Sequence, residues 1–125
     1  MTSSRIIRKI SKEEFDEIIR RYRNNILVSP DALFRLSAGQ RKVFKEESLI
    51  NILTKENPRL VGLQENERYA AFFRRNDGFI RIIFTIENKK SLIIITFVIT
   101  DYLPVIKNGK LAEKFECERK RRILL

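Results

Sequence analysis

Apolar and polar residues alternate through much of the second half of the chain. Three runs rich in Phe, Ile and Thr follow one another at 69–75, 79–86 and 92–100, a composition typical of β-strands. Asn76-Asp77-Gly78 separates the first two runs, and an Asp-Gly pair between such runs is a strong hairpin signal. The pattern therefore predicts an antiparallel sheet.

The position of the hairpin turn determines which side chains share a face, because a shift of one residue exchanges the two faces. A two-residue turn at Asp77-Gly78 predicts a wholly apolar core face, made of Tyr69, Ala71, Phe73, Ile80, Ile82 and Phe84. The second face then carries Arg68, Phe72, Arg74, Arg81, Ile83 and Thr85. In the last run, Ile93, Ile95, Phe97 and Ile99 alternate with Ile94, Thr96, Val98 and Thr100. The second face is interpreted as an apolar floor with arginines and threonines above it, which is either a half-solvated surface or a phosphate-binding one.

Helical spacing and capping signals characterise the first half. Ser11 and Glu14 form a capping box that starts a helix running from Lys12 to about Asn24. Ser29-Pro30 opens a short second helix, and a third is predicted over 41–55. Residues 6–10 fit an edge strand or a basic arm, and 59–63 fit a strand leading into the hairpin. The predicted fold is α+β, with two to three N-terminal helices packed on one face of a roughly four-stranded antiparallel sheet.

The chain is predicted to hold a single domain at 1–104, followed by a basic tail at 105–125. Residues 111–122 fit a helix that ends in the basic run 119–122. Basic residues in a last helical turn stabilise the helix dipole. They would also suit a second nucleic-acid contact or an acidic partner.

The amino-acid composition indicates one class of partner and excludes several kinds of catalytic and metal site. The formal charge of +10 and the pI near 10.1 indicate a polyanionic partner, with nucleic acid favoured over a membrane. The same charged residues would also suit the ion-pair-rich surface of a thermophilic protein. The absence of His excludes a Ser-His-Asp triad and a Cys/His zinc site. The lone Cys117 excludes an internal disulfide and favours a reducing compartment, so we expect a cytoplasmic protein without cofactor or metal.

Metal-free RNA cleavage remains compatible with this composition. The ribose 2′-hydroxyl attacks the neighbouring phosphate, so the protein must hold the strand, stabilise phosphate charge and move protons. Arg74 and Arg81, opposite one another in the predicted register, are the candidate phosphate clamp, with Arg35 or Arg41 reaching in from the helices. Asp31, Tyr69 or a lysine would transfer the proton. Binding without cleavage would use the same arginines with Phe72 as a stacking surface, joined by Lys42, Arg68, Arg75 and Thr85.

A wider pattern resembles a known family. It comprises the run 28–35 (Val-Ser-Pro-Asp-Ala-Leu-Phe-Arg), Gln40-Arg41, the helical 46–50, then Pro58, Gln64, Tyr69 and the strand end 94–97 (Ile-Ile-Thr-Phe). Over residues 27–100 the chain is similar to the RelE, ParE and BrnT toxin superfamily, in particular to a branch with a His-Ala-x-x-Arg element.

The resemblance implies the same helix-and-sheet fold, an endoribonuclease activity, a ribosomal or other RNA target and an acidic antitoxin. By position it assigns Arg35, Arg41 and Thr96 to the site. Asp31 stands where that branch often has His, which replaces a group that titrates near neutrality by one ionised at pH 7.

Three hypotheses follow from the sequence. The first is a metal-independent RNA-cleaving toxin with Asp31, Arg35, Arg74 and Arg81 at its centre. The second is a non-catalytic nucleic-acid-binding module of the same fold. The third is a homodimeric interaction protein that associates through the apolar second face.

Overall fold

The computed structural model describes residues 5–32, 45–103, 105–107 and 110–112. Helices α1 and α2 span Lys12–Tyr22 and Glu46–Lys55, and a short 3-10 turn spans Pro30–Ala32. The strands are β1 Ile6–Lys9, β2 Ile26–Val28, β3 Leu60–Gln64, β4 Tyr69–Arg75, β5 Gly78–Glu87, β6 Ser91–Thr100, β7 Val105–Lys107 and β8 Lys110–Ala112.

The first six strands form one sheet in the order β1-β3-β4-β5-β6-β2. Strands β3 to β6 are an antiparallel meander, and β1 joins it antiparallel to β3. Strand β2 pairs in parallel with β6 at the opposite edge. Strands β7 and β8 form a separate hairpin, and β8 contacts β1.

The predicted architecture is therefore wrong. The described chain is mostly sheet, with six strands in the main sheet and helices α1 and α2, where the sequence predicted two to three helices on four strands. The extra strands are the edge strands β1 and β2, and both are short. Strand β1 has four residues and strand β2 has three. Segments this short show little periodicity in their sequence, so they are recognised as strands by their pairing with β3 and β6.

The turn of the central hairpin lies one residue before its predicted position, which shifts the pairing of the two strands by two residues. Arg75 pairs with Gly78, so Asn76-Asp77 forms the turn. A shift of two residues keeps every side chain on its face, and the predicted core face is buried or half-buried as expected. The shift does change the neighbours, because Arg81 pairs with Phe72 and Arg74 pairs with Phe79.

Strand β6 departs from the predicted alternation at a bulge. Phe84 pairs with Ile94, but Ile83 pairs with Thr96, so Ile95 is the extra residue. Both Ile94 and Phe97 consequently face the helices and belong to the main core. A β-bulge reverses the alternation of the residues that follow it, which a strict two-residue period cannot anticipate.

The main core lies between the sheet and the helices. Helix α1 begins where the Ser11 hydroxyl accepts a hydrogen bond from the Glu14 backbone N–H, at 3.1 Å. Because apolar residues recur on one side of each helix, α1 and α2 each present one stripe to the sheet. The helical residues buried in this core are Phe15, Ile19, Tyr22, Leu49, Ile52 and Leu53.

The second face of the sheet is also partly covered by other parts of the chain. Ile6, Ala70, Phe72 and Ile83 form a smaller buried cluster there, against which Leu60, Ile95 and Leu103 pack. Gly62 makes room for Ile6, since a Cβ at residue 62 would overlap the Ile6 side chain. The N-terminal strand and the segment after β6 thus cover a face that the sequence analysis left open.

The beginning of the predicted C-terminal helix is a strand. Leu111 and Ala112 belong to β8, which forms a hairpin with β7 across residues 108 and 109. The predicted helical residues 113–122, including the basic run 119–122, lie outside the described residues, as do 33–44.

Candidate nucleic-acid interface

The predicted clamp of Arg74 and Arg81 does not form as a directly opposed pair. The two residues lie on the same face of neighbouring strands, but the register offsets them by two residues. Arg74 is exposed, whereas Arg81 is half-buried. Phe72, predicted to be an exposed stacking surface, is only 1% exposed and so cannot stack on a base.

Contacts within the sheet hold the Arg81 guanidinium in place. Its Nη2 donates a hydrogen bond of 2.7 Å to Oε1 of Gln64, across β4, and its Cζ lies 5.3 Å from the centroid of the Phe72 ring. Gln64 is itself buried and donates to Oδ1 of Asn66 at 2.9 Å. Burial lowers the pKa of Arg81, and Tyr102 opposes that shift. At least one donor of this arginine, Nη2, therefore serves the fold.

The cleft beside Arg81 has mixed charge. Phe72, Arg81, Val98 and Tyr102 line a depression of about 380 Å³, and the carboxylate-bearing residues Asp77 and Asp101 line it as well. An incoming phosphate would meet negative charge together with the half-buried arginine, and like charges in close contact disfavour binding. The second face is therefore a poor phosphate site among the described residues.

The remaining predicted site residues are dispersed. Arg68 is exposed before β4, and Arg75 is bound to Glu56 through Nη1 and Oε1 at 2.9 Å. Thr85 and Thr96 are half-buried on β5 and β6. Asp31 lies in the 3-10 turn. The predicted residues Arg35, Arg41 and Lys42 lie outside the described residues.

A different surface gathers exposed cations. The end of β1, the start of α1 and the start of β3 surround a cleft of about 480 Å³, which includes Lys9, Lys12 and Arg59 in its lining. Ile10 joins the two strands here by donating its backbone N–H to the Val61 carbonyl at 2.8 Å. The β1–β3 pairing thus brings side chains about fifty positions apart in sequence to the same edge of the sheet.

A second cleft extends this surface along the helices. It has a volume of about 260 Å³ and lies between α1 and the end of α2, with Arg20, Arg23 and Lys55 in its lining. The connection at 56–59 runs from this cleft into the first one. We call the combined surface the basic rim and define it by Lys9, Lys12, Arg20, Arg23, Lys55 and Arg59.

The carboxylates on the basic rim are already bound to cations. Asp16 forms an ion pair with Lys12 at 3.4 Å, and Glu56 forms one with Arg75 at 2.9 Å. Glu17, on the neighbouring side of α1, pairs with Arg20 and Arg21.

The side chains of some rim cations, by contrast, form no ion pair or hydrogen bond with any residue of the described ranges, and all of these side chains are exposed. They are Lys9, Arg23, Lys55 and Arg59. The rim thus presents positive charge that the described carboxylates do not neutralise.

The sequence analysis did not identify this rim. Lys9 precedes the apolar Ile10 in the sequence, and Arg59 precedes the apolar Leu60. Lys55 is the last residue of α2, and Arg23 follows the last residue of α1. Their charge was visible in the sequence. Their convergence depends on the β1–β3 pairing and on the packing of α1 against α2, which no local pattern reports.

The described ranges contain no group of three or more His, Cys, Asp or Glu residues arranged to hold a metal ion. Within the same ranges, neither helix has the length and apolar character required to cross a bilayer. Compared with known proteins, the chain matches no family model, and no curated protein and no solved structure is significantly similar to it.

Proposed function

We propose that this protein binds RNA through the phosphate backbone, using the basic rim. The observation that carries the proposal is that Lys9, Arg23, Lys55 and Arg59 are exposed on one continuous surface without carboxylate partners among the described residues. Cations in this arrangement attract a polyanion and release its counterions on binding.

The proposed mode of binding follows from the side chains of the rim. Lysine and arginine contact phosphates irrespective of base, so they position a strand without reading its sequence. Aromatic stacking does not contribute in the described part of the rim, since Phe15 and Tyr22 of α1 are buried in the core. We therefore expect strongly salt-dependent binding with little sequence preference.

The test is fluorescence anisotropy with a labelled single-stranded RNA over a range of salt concentrations. The variant Lys55→Ala/Arg59→Ala should raise the Kd several-fold at low salt. It should also reduce the slope of log K against log salt by about 0.7 for each phosphate that the variant no longer neutralises. DNA of the same sequence measures whether the ribose contributes.

The matched control is Lys89→Asn/Lys90→Ala, which removes the same charge from the β5–β6 turn. That turn lies at the other end of the meander strands from Arg59. Asn suits residue 89 because its φ is 56°, in the left-handed region that Asn tolerates. Equal loss of affinity in both variants would show that net charge alone drives binding and would reject the rim as the site.

Cleavage of the bound RNA, as in the RelE-like toxins, stays a prediction. Its residues Asp31 and Arg35 would act beside Arg74 and Arg81, and an acidic antitoxin would be the partner. Incubation of the protein with total RNA in EDTA tests it. Discrete fragments ending in 2′,3′-cyclic phosphate, lost in Arg74→Ala, would support cleavage, and intact RNA together with measurable binding would support a non-catalytic module. We place this activity in the cytoplasm, where the lone Cys117 would stay reduced.

A further inference from the structure

The cleft between the end of β1, the start of α1 and the start of β3 differs from the other clefts described above in the charge of its walls. Lys9, Lys12 and Arg59 line it, and no carboxylate is among the described residues of its lining. The cleft along the helices and the depression beside Arg81 each include two carboxylate-bearing residues. The volume of about 480 Å³ is in the range of small-ligand sites.

Regular secondary structure holds the backbone of each of these cations. Lys9 pairs with Gly62 at the end of β1, and Lys12 is the first residue of α1. The Arg59 N–H donates to the Phe72 carbonyl at 2.7 Å, directly before β3. Sites built on helices and strands are positioned more precisely than sites on loops. Binding an anion here therefore requires the ordering of side chains only.

The three cationic side chains are accessible to an anion. Those of Lys9 and Arg59 form no ion pair or hydrogen bond with any residue of the described ranges, and both residues are exposed. Lys12 pairs with Asp16 at 3.4 Å, and both of these side chains are more than half exposed. Since an exposed pair of this kind contributes little, a phosphate can take the place of the Asp16 carboxylate.

The cleft also lies at one end of the basic rim. The connection at 56–59 leads into it from the cleft along the helices. Next to Lys9, the side chain of Arg8 is bound to Glu14 at 3.3 Å, and that carboxylate offsets its charge. The positive charge of the rim does not continue through this pair, so a strand that follows the rim has one of its ends in this cleft.

We infer that this cleft binds a terminal phosphate of the RNA. The inference rests on the proposed RNA binding and adds the part of the RNA that the protein recognises. A terminal phosphomonoester carries a charge of about −1.5 to −2 at pH 7 and has three acceptor oxygens, whereas an internal phosphodiester carries a single charge. Three cations around one cleft suit the more highly charged group. The planar fork of Arg59 can bind two oxygens in parallel, and Lys9 and Lys12 act as point charges.

The experiment is fluorescence anisotropy with three short single-stranded RNAs that are labelled at an internal position. One has a 5′-phosphate and the second a 3′-phosphate. The third has hydroxyl groups at both ends and is one nucleotide longer, so all three contain the same number of phosphate groups. We expect at least one of the phosphorylated RNAs to bind several-fold more tightly than the third, and the comparison identifies the end that the cleft accepts.

The variant Lys9→Ala/Arg59→Ala should abolish this preference. The matched control is Arg23→Ala/Lys55→Ala, which removes the same charge from the cleft along the helices. It should weaken the binding of all three RNAs by the same factor and keep the preference. All four residues are exposed, so thermal unfolding should show that both variants are as stable as the unmodified protein.

The outcomes separate this inference from the proposed function. Equal affinity for the three RNAs would overturn the terminal-phosphate site and leave the basic rim in place. A preference that survives in Lys9→Ala/Arg59→Ala, or one that is lost equally in both variants, would also overturn the site, because the cleft would not be its source. No binding of any of the RNAs would reject the basic rim, and the terminal-phosphate site with it.

Discussion

At the scale of single residues, Arg81 shows how packing assigns a role that residue type leaves open. An arginine on a sheet face suits phosphate binding, but this one donates to the buried Gln64 and lies over the ring of Phe72. The Nη2 donor would have to leave Gln64 before it could bind a ligand. The structure therefore favours a contribution of Arg81 to stability.

The substitution Arg81→Ala separates these roles. We expect it to lower the free energy of unfolding by about 1–3 kcal/mol, because it leaves the buried Gln64 oxygen without this donor. Urea denaturation measures the loss. Arg74→Ala is the control, since an exposed side chain should change stability by less than about 0.5 kcal/mol. RNA affinity lowered by Arg81→Ala without a loss of stability would restore the clamp hypothesis.

Gly78 provides a second prediction at this scale. It begins β5 opposite Arg75, and a Cβ at this residue would overlap the backbone carbonyl oxygen of Thr100. Because backbone cannot move aside as easily as a side chain, Gly78→Ala should cost about 1–3 kcal/mol of stability. Thermal unfolding followed by circular dichroism checks this expectation. An unchanged Tm would mean that β5 and β6 separate locally at little cost.

At the scale of elements, helix α1 connects the core to the basic rim. Its apolar stripe packs on the sheet through Phe15 and Ile19, while Arg20 and Arg23 lie at its C-terminal end. A helix of eleven residues is marginal alone, so its cap and its packing together hold these arginines in position. These arginines therefore keep their positions for as long as α1 stays folded on the sheet.

The substitution Ser11→Ala measures how much the cap contributes to the folded state of α1. It removes the hydroxyl that accepts the Glu14 N–H, and the loss of such a cap costs about 0.5–2 kcal/mol. We expect a matching drop in unfolding free energy in urea, with RNA affinity unchanged below the transition because the folded rim is intact. The control is Ser11→Asp, which should retain the cap. Equal stability of Ser11→Ala and the unmodified chain would show that packing alone fixes the start of α1.

At the scale of the whole molecule, two interpretations of the charge make opposite predictions. A formal charge of +10 destabilises the compact state by self-repulsion, and salt screens that repulsion. A surface stabilised by ion pairs would instead lose stability in salt. The described pairs, such as Arg8–Glu14 and Lys12–Asp16, are exposed, and pairs of this kind contribute little.

We therefore expect Tm to rise when NaCl is added to a low-salt buffer. Relief of about 1 kcal/mol of repulsion corresponds to an increase of about 3–5 °C for a chain of this size. Differential scanning calorimetry with NaCl measures the change, and sucrose serves as a control for effects unrelated to charge. A fall in Tm with NaCl would favour the ion-pair interpretation of the surface.

The sequence by itself determined the features that depend on neighbouring residues. The Ser11 cap set the start of α1, although the Glu14 carboxylate binds Arg8 and does not complete the predicted capping box. The alternation in β4 and β5 assigned the core face correctly, even though the turn lies one residue from its predicted position and the pairing is shifted by two. Those signals are local, so they survive without knowledge of the fold. The net charge was also evident, and it led to the expectation of a polyanionic partner.

Only the tertiary structure decided where the exposed positive charge lies. The bulge at Ile95, the cover over the second face and the pairing of β1 with β3 join residues that are distant along the chain. They bury Phe72, engage Arg81 with Gln64 and gather Lys9, Arg23, Lys55 and Arg59 on another surface. A local pattern specifies which side chains share a face of one hairpin. Which faces become covered depends on long-range contacts, whose partners a single sequence does not reveal.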